Sequence, residues 1–422
     1  PRLSPILVLA ASLVVAARAE FAARDVRLMI GPEVSVVREL REIACTGGEQ
    51  EVVIEGIPAA ADLASLQVGG EGQGVRLLGW QRAGVSNAGP RSGQPLRWNP
   101  AQPLREEPGL DPAGPLICRI QAATARTRWV EFIYQLTGLT WRADYEMVIR
   151  GDVANHLEPL SLDLNGYVVV SNGTGRAYPE SRVLLVGRPG GRAGTGPEPG
   201  LLILDDWSPL ADRWRDAPPG QERPYAYPVP DAVGIPAAGE VSVRLVSTRR
   251  QAADRRYRLE GDQLPVGQGG PWRPLTRLLV LPNDEAHGMG QALPPGQALI
   301  YLGGVRGGPY QRAFLGHTER GREVEVSLGP SRGVTAHRRM EARQPGSAGA
   351  PEQTVSLQLA NALPTAVKVE IVERPPVPLA WDLVRANRTV ERESQVLKFN
   401  LDLAARSEDE ITYTVRVVEP EP

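Results

Sequence analysis

The sequence predicts an all-β chain, built as tandem antiparallel β-sandwich domains behind a cleavable signal peptide. Three observations carry that reading. Apolar residues recur at every second position in one segment after another, which is the period of a half-buried strand. The 422 residues include 45 glycines and 39 prolines, punctuation suited to many short strands joined by turns. Beyond residue 19 no stretch sustains a helical period.

Taken in order, residues 1–19 differ in kind from the rest. "LSPILVLAASLVVAARA" is an apolar run ending in Ala17-Arg18-Ala19, a small-x-small pattern expected of a signal-peptide cleavage site. The run is short for a bilayer span and no later segment approaches that length, so the mature chain is expected to carry no transmembrane helix. Residues 20–82 read as a small N-terminal β domain, with "VSVVRELREI", a turn at Gly47-Gly48, and "EVVIEGIP". Residues 83–115 hold Pro, Gly and Asn without an apolar period and read as a linker.

A central sandwich is expected over residues 116–290, interrupted by a Pro-rich insertion at 187–240, and a C-terminal sandwich over 291–422. In "TRWVEFIYQLT", Val130, Phe132, Tyr134 and Leu136 share one face. In "GLTWRADYEMVIR", Trp141, Ala143, Tyr145, Met147 and Ile149 alternate with Arg142, Asp144, Glu146 and Arg150, as in a half-buried antiparallel strand. A faint internal echo links "LSLDLNGYVVVSNGTGRAYPESRVLLV" to "TVSLQLANALPTAVKVEIVE": each is strand, Asn, short turn, strand. Tandem modules would explain the echo, and so would chance.

Several stretches resemble one family. "EQEVVIEGIPAAADLASLQVGGEGQGVRLLG", "YQLTGLTWRADYEMVI" with "LDLNGYVVVSNGTGRAYPESRVLLVG", "YAYPVPDAVGIPAAGEVSVRLVS" with "RRYRLEG", and "HTERGREVEVSLGPSRGVTAHRR" through "ITYTVRV" are similar to bacterial mucoidy-inhibitor-A-like proteins. The resemblance implies an envelope protein with a large C-terminal β domain and an influence on exopolysaccharide production. It brings no catalytic residues with it. Longer members carry a coiled coil where this chain has only residues 83–115, so the resemblance implies a short form lacking the coiled coil.

The residues exclude several chemistries. A net charge of −2 without a basic stripe gives no support for nucleic-acid binding. No Gly-Lys pair occurs, so there is no Walker-type loop. His156, His287, His317 and His337 are scattered, which predicts no metal site, and no cofactor is implied. Gly329 to Gly333, "GPSRG", fits the nucleophile-elbow pattern in letters alone; Pro330 and the strand-like "VTAHRR" favour a hairpin turn. Asp144 and Glu146 share a face, yet Arg142 and Arg150 share it too, so a charge ladder is favoured over a catalytic pair. The Asn-Gly-Thr sequon at Asn172 reads as a turn if the source is bacterial.

No catalytic residue is therefore assigned. Binding candidates are Trp207, Trp214, Tyr225 and Tyr227 in the Pro-rich segment, the alternative being that they cover one end of a sandwich, together with Asp205 and Asp206 at the end of "LLIL". Cys45 and Cys118 could form one disulfide in an oxidising compartment or remain two buried thiols. The expectation is a periplasmic or secreted, non-catalytic structural or binding module of the bacterial envelope, partnered by an envelope protein or a polysaccharide. The alternative is an extracytoplasmic hydrolase acting on polysaccharide or peptide.

Overall fold

The computed structural model describes residues 17–19, 23–69, 74–82, 114–153, 159–187, 225–261, 271–304, 306, 308–345, 351–375 and 380–418. These residues are all-β. Strands run as β1 (Ala17–Ala19), β2 (Arg24–Ile30), β3 (Ser35–Ile54), β4 (Ala61–Val68), β5 (Val75–Arg82), β6 (Leu116–Leu136), β7 (Leu139–Arg150), β8 (Leu160–Asn172), β9 (Tyr178–Gly187), β10 (Tyr225–Pro228) and β11 (Val233–Ile235). They continue as β12 (Gly239–Glu260), β13 (Arg273–Pro282), β14 (Gly296–Tyr301), β15 (Tyr310–Leu315), β16 (Glu323–Pro345) and β17 (Pro351–Asn361). The last are β18 (Val367–Glu373), β19 (Ala380–Ala386), β20 (Glu391–Glu393), β21 (Val396–Leu403) and β22 (Ser407–Val418).

One sheet follows the order β10-β9-β2-β3-β6-β4, with β1 beside β3, β5 beside β6 and β11 beside β9. The other follows β15-β14-β7-β8-β12-β13-β16-β17-β22-β19, with β18 beside β12 and β21, and β20 beside β21. Both sheets are mixed rather than purely antiparallel: β1 runs parallel to β3, β2 to β9, β12 to β18 and β14 to β7.

The described residues fall into two compact units. The first takes those of Pro1–Trp141, Val169–Arg188 and Pro224–Val243, and the second those of Arg142–Val168, Pro189–Arg223 and Arg244–Pro422. Residue 116 does not open a new unit, because β6 lies against β3 from Ser35↔Leu136 to Ile54↔Leu116. Nor does Gly47-Gly48 separate two strands. Both glycines adopt positive φ (82° and 74°), which lets β3 absorb a bulge and continue as one strand.

The same register decides the cysteines. Cys118 faces Val52 while Cys45 faces Arg126, seven residues further up β3. At about 3.3 Å per residue that is more than 20 Å, far beyond the roughly 7 Å a disulfide allows. Both thiols are free and buried, so the disulfide reading is corrected. Burial pushes the Cys118 thiol up to about 12, which leaves it protonated and inert at neutral pH.

The chain uses one strand plan twice. First, β2 pairs antiparallel with β3 and β3 with β6; β7 and β8 follow, and after a turn β9 runs parallel to β2. Strand β11 then pairs antiparallel with β9, and β12 returns beside β8. In the second use, the end of β12 pairs with β13, β13 with the first half of β16, and the rest of β16 with β17. After a turn β18 runs parallel to β12, β21 pairs with β18, and β22 returns beside β17.

The two turns share their principal bonds. Asn172 is 3% exposed; its Nδ2 donates to Arg176 O (2.7 Å) and Pro236 O (2.6 Å), and its Oδ1 accepts from Thr174 N (2.9 Å). Asn361 is 2% exposed; its Nδ2 donates to Thr365 O (2.9 Å) and Ala404 O (2.7 Å), and its Oδ1 accepts from Leu363 N (3.0 Å). The next amide donates in both cases to a glycine carbonyl before the paired hairpin, Gly173 to Gly138 O and Ala362 to Gly333 O, each at 2.8 Å. The sequence echo between these segments therefore has a shared structural cause. Asn172 has its amide committed on both sides, which makes it a turn clasp and leaves the sequon nothing to offer.

Each unit also buries a carboxylate with guanidinium and phenol partners. In the first, Glu39 is fully buried; Oε1 accepts from Arg41 Nε (2.9 Å) and Nη2 (2.7 Å), and Arg176 holds the other oxygen. Arg176 also donates to Tyr134 Oη (2.5 Å), and Arg41 to Glu55 O (2.6 Å). In the second, Arg338 Nη2 reaches Glu373 Oε2 (3.2 Å) and Tyr413 Oη (3.3 Å) beside a core of Leu357, Ile371, Phe399 and Ile411.

Candidate binding surface

The residues that sequence reasoning singles out do not converge. Asp205, Asp206, Trp207 and Trp214 lie outside the described residues. Tyr225 is half-buried on β10, and Tyr227 is 1% exposed, packed edge-on against Trp141 with centroids 5.8 Å apart. Burial raises the Tyr227 phenol well above its ordinary range. Tyr227 is core, so its reading as an exposed grip is corrected: β10 pairs with β9 from Tyr225↔Gly187 to Pro228↔Leu184 and turns this ring inward.

"GPSRG" forms neither an elbow nor a hairpin. It is an irregularity inside β16, where Gly329 has φ 76° and the register against β13 shifts between Leu278↔Ser327 and Thr276↔Pro330. Ser331 is 6% exposed, and its Oγ accepts from Gly333 N (3.1 Å) and Val334 N (2.9 Å), so the hydroxyl holds the bend.

The charged face of β7 is a ladder. Arg142 pairs with Asp144 (3.2 Å), Arg150 with Asp163 (2.6 Å) and Glu146 with Arg306. On the other face Tyr145 is 3% exposed, whereas Trp141 is only half-buried, its Nε1 donating to Val186 O (3.2 Å). Trp141→Ala is accordingly expected to cost about 2 kcal/mol, below the core-aromatic range. Asp144→Asn should stay within about 1 kcal/mol, as an exposed pair does. Denaturant melts of the two variants check both values.

What the strand plan does not need is an insertion between β13 and β16, the place where the first copy carries β4 and β5 between β3 and β6. Asn283 closes the neck of this insertion. It is 1% exposed, and its Nδ2 donates to Gln291 O (2.8 Å) and Glu319 O (2.9 Å) while its Oδ1 accepts from Gly290 N (3.0 Å). A one-turn 3-10 segment, Glu285–His287, follows, capped by Asp284, and an isolated bridge joins Leu293 to Thr318. His317 beside that bridge is pushed down to about 4 by burial, against a hydrogen bond with Leu293, and is neutral at neutral pH.

The insertion seats on β7. Tyr145 Oη donates to Pro294 O (2.6 Å), and β14 runs parallel to β7 from Gly296↔Ala143 to Tyr301↔Val148. Gly296 must be glycine here, since a Cβ would stand 2.2 Å from the Ala143 carbonyl oxygen. The stretch "GLTWRADYEMVIR" is thus architecture: one face anchors this insertion and the other carries ion pairs within itself, with Asp163 and with Arg306.

On β14 and β15 the alternation is inverted in meaning. Ala298, Ile300 and Leu315 face inward, while Leu299, Tyr310 and Phe314 are 36%, 54% and 57% exposed. These are three of the seven large apolar side chains exposed among the described residues. Burying such a side chain would yield about 1.5–3 kcal/mol, so a cluster of them left in water on one hairpin calls for a use. Tyr301 stands edge-on to Tyr310 with centroids 6.1 Å apart, and Arg312 lies exposed between Tyr310 and Phe314. Pairing sets Gln297 across from Phe314, Leu299 from Arg312, and Tyr301 from Tyr310. Strand β15 also lies near β16, where Gln311 Nε2 donates to Ser327 O (3.1 Å).

Elsewhere in the second unit, a hollow of about 490 Å³ is lined by Arg150, Gly151, Asp152, Val153, Leu302, Gly303 and Gly304. Its guanidinium is already tied to Asp163, so it presents little free chemistry. Among the described residues no group of three or more His, Cys, Asp or Glu could hold a metal ion, and no helix is long and apolar enough to cross a membrane. No protein-family model and no curated protein matches the chain.

Proposed function

We propose that this chain is an exported protein of the bacterial envelope, of the mucoidy-inhibitor-A-like kind, acting as a non-catalytic binding module. The observation that carries the binding part is the exposed Leu299, Tyr310 and Phe314 on an insertion that the repeated strand plan does not require. Side chains of this type on a scaffold-borne hairpin serve recognition, since aromatic anchors supply most of the energy of typical interfaces. The export part rests on the apolar run and Ala17-Arg18-Ala19. The envelope and exopolysaccharide connection rests on the family resemblance.

The test compares the full chain with a Tyr310→Ser, Phe314→Ser double variant for sedimentation with an isolated cell-envelope fraction. Both changes are on exposed positions, so the variant should melt as the parent does while its envelope affinity falls about tenfold or more. Equal retention of the two proteins overturns the assignment of this surface. N-terminal sequencing of the exported protein should begin at Glu20, cleavage then removing β1 from its place beside β3, and an intact first segment overturns cleavage.

A further inference from the structure

Building on the reading of β14 and β15 as a binding surface, we propose that the outer edge of β15 takes an extended polypeptide by antiparallel strand addition. The strand it selects carries an acidic residue with apolar residues two positions away on either side.

The backbone argument comes from hydrogen-bond alternation. In an antiparallel pair, residues alternate between exchanging both backbone bonds and exchanging none. Leu302 N donates to Pro309 O at 3.0 Å, in the register that continues through Tyr301↔Tyr310, Leu299↔Arg312 and Gln297↔Phe314. Counting back from that bond, Tyr310, Arg312 and Phe314 fall in the non-bonded pairs. Their N–H and C=O groups therefore point away from β14. Strand β15 ends its sheet, and no strand among the described residues takes those groups. These same residues carry their side chains on the open face. Each offers a donor, an acceptor and a side chain together, which is what strand addition uses. A glycan would use the aromatic rings but leave the ordered backbone edge unused.

Charge sets the preferred strand. On neighbouring β7, Arg142 is paired with Asp144 and Glu146 with Arg306. Arg312 makes no ion pair among the described residues and stands between two exposed aromatic rings. A carboxylate directly across from Arg312 completes the pairing, and apolar side chains across from Tyr310 and Phe314 cover the rings. A second copy of β15 does not suit this edge, because antiparallel pairing centred on Arg312 sets guanidinium against guanidinium.

The probe is a labelled peptide, Thr-Thr-Val-Thr-Glu-Thr-Val-Thr-Thr, followed by fluorescence anisotropy with the full chain. A version with Lys for Glu should bind about fivefold more weakly. N-methylation of the Val, Glu and Val amides, which would face β15, should abolish binding, whereas N-methylation of the intervening Thr amides should leave it. Arg312→Glu should reverse the preference, favouring the Lys peptide, and that gain separates recognition from damage to the fold. Failure of the reversal, or equal effects of the two methylation patterns, overturns strand addition. If the peptides do not bind while envelope sedimentation still depends on Tyr310 and Phe314, the surface stands and its polypeptide ligand does not. The polypeptide ligand falls in the same way if a soluble envelope glycan binds there and the peptides cannot compete with it.

Discussion

Replacing Glu39 with alanine is expected to destabilise the first unit by about 3–5 kcal/mol, because it strands buried guanidiniums without their counter-charge. Arg41 is 6% exposed, and Arg176 reaches Glu39 and Tyr134 from the turn before β9. Neither can regain water without opening the sheet. Glu39→Gln should fall between parent and alanine variant, since the amide keeps an acceptor but loses the charge. Acid provides an independent check. Burial opposes ionisation of Glu39, yet the charges of Arg41 and Arg176 outweigh it and hold the carboxyl below its ordinary range. The folded pKa lies below the unfolded one, so the stability this group contributes is fully present above about pH 4.3 and drains as pH falls further. Urea melts across that window should show the parent losing stability with acidification and the Gln variant losing less. Parallel pH slopes would show that the network does not act through the Glu39 charge.

The second large effect is expected at the paired turn clasps. Asn361→Ala removes the donor to Thr365 O and Ala404 O and the acceptor for Leu363 N, all at a site 2% exposed. At roughly 1–3 kcal/mol for a buried group left unsatisfied, with water recovering part of the loss, the cost should be about 3–4 kcal/mol. Asn172→Ala removes the corresponding bonds and should cost a similar amount. Asp at either position keeps the acceptor and discards the donor, so it should rescue only partly. Calorimetry on the four variants checks this. If Asn361→Ala proves neutral while Asn172→Ala is severe, the turns resemble each other in geometry alone.

Strand type was legible in the sequence because it depends on local period. The alternation from Trp141 to Ile149 states both the strand and which side carries Tyr145 and Met147, and the echo between the two Asn turns was visible as letters. Long-range register was not legible. Nothing local tells that Cys118 lies opposite Val52, so the letters admit a disulfide that the pairing of β3 and β6 forbids. The exposed face of β14 and β15 was not legible for a different reason. "YQRAFL" places Tyr310, Arg312 and Phe314 on one side and Gln311, Ala313 and Leu315 on the other. A period-two rule sends the aromatic side inward, and only the seat of β14 on β7, with Gln311 against β16, shows that it faces out. Clustering in sequence, as at Trp207 and Trp214, carries no information about exposure.

The parallel pairing of β2 with β9, which sets Arg27 beside Arg182, has a consequence in time. Contacts between such distant residues must overcome loop closure before they contribute, so topologies of this kind fold in milliseconds to seconds rather than microseconds. The first unit also draws on Pro224–Val243, so more than half of the chain must be available before it can be completed. A growing chain would therefore hold β2, with its apolar Val26, Leu28 and Ile30, unsealed while the intervening strands are still being made. Over that interval, protection from aggregation has to come from outside the fold.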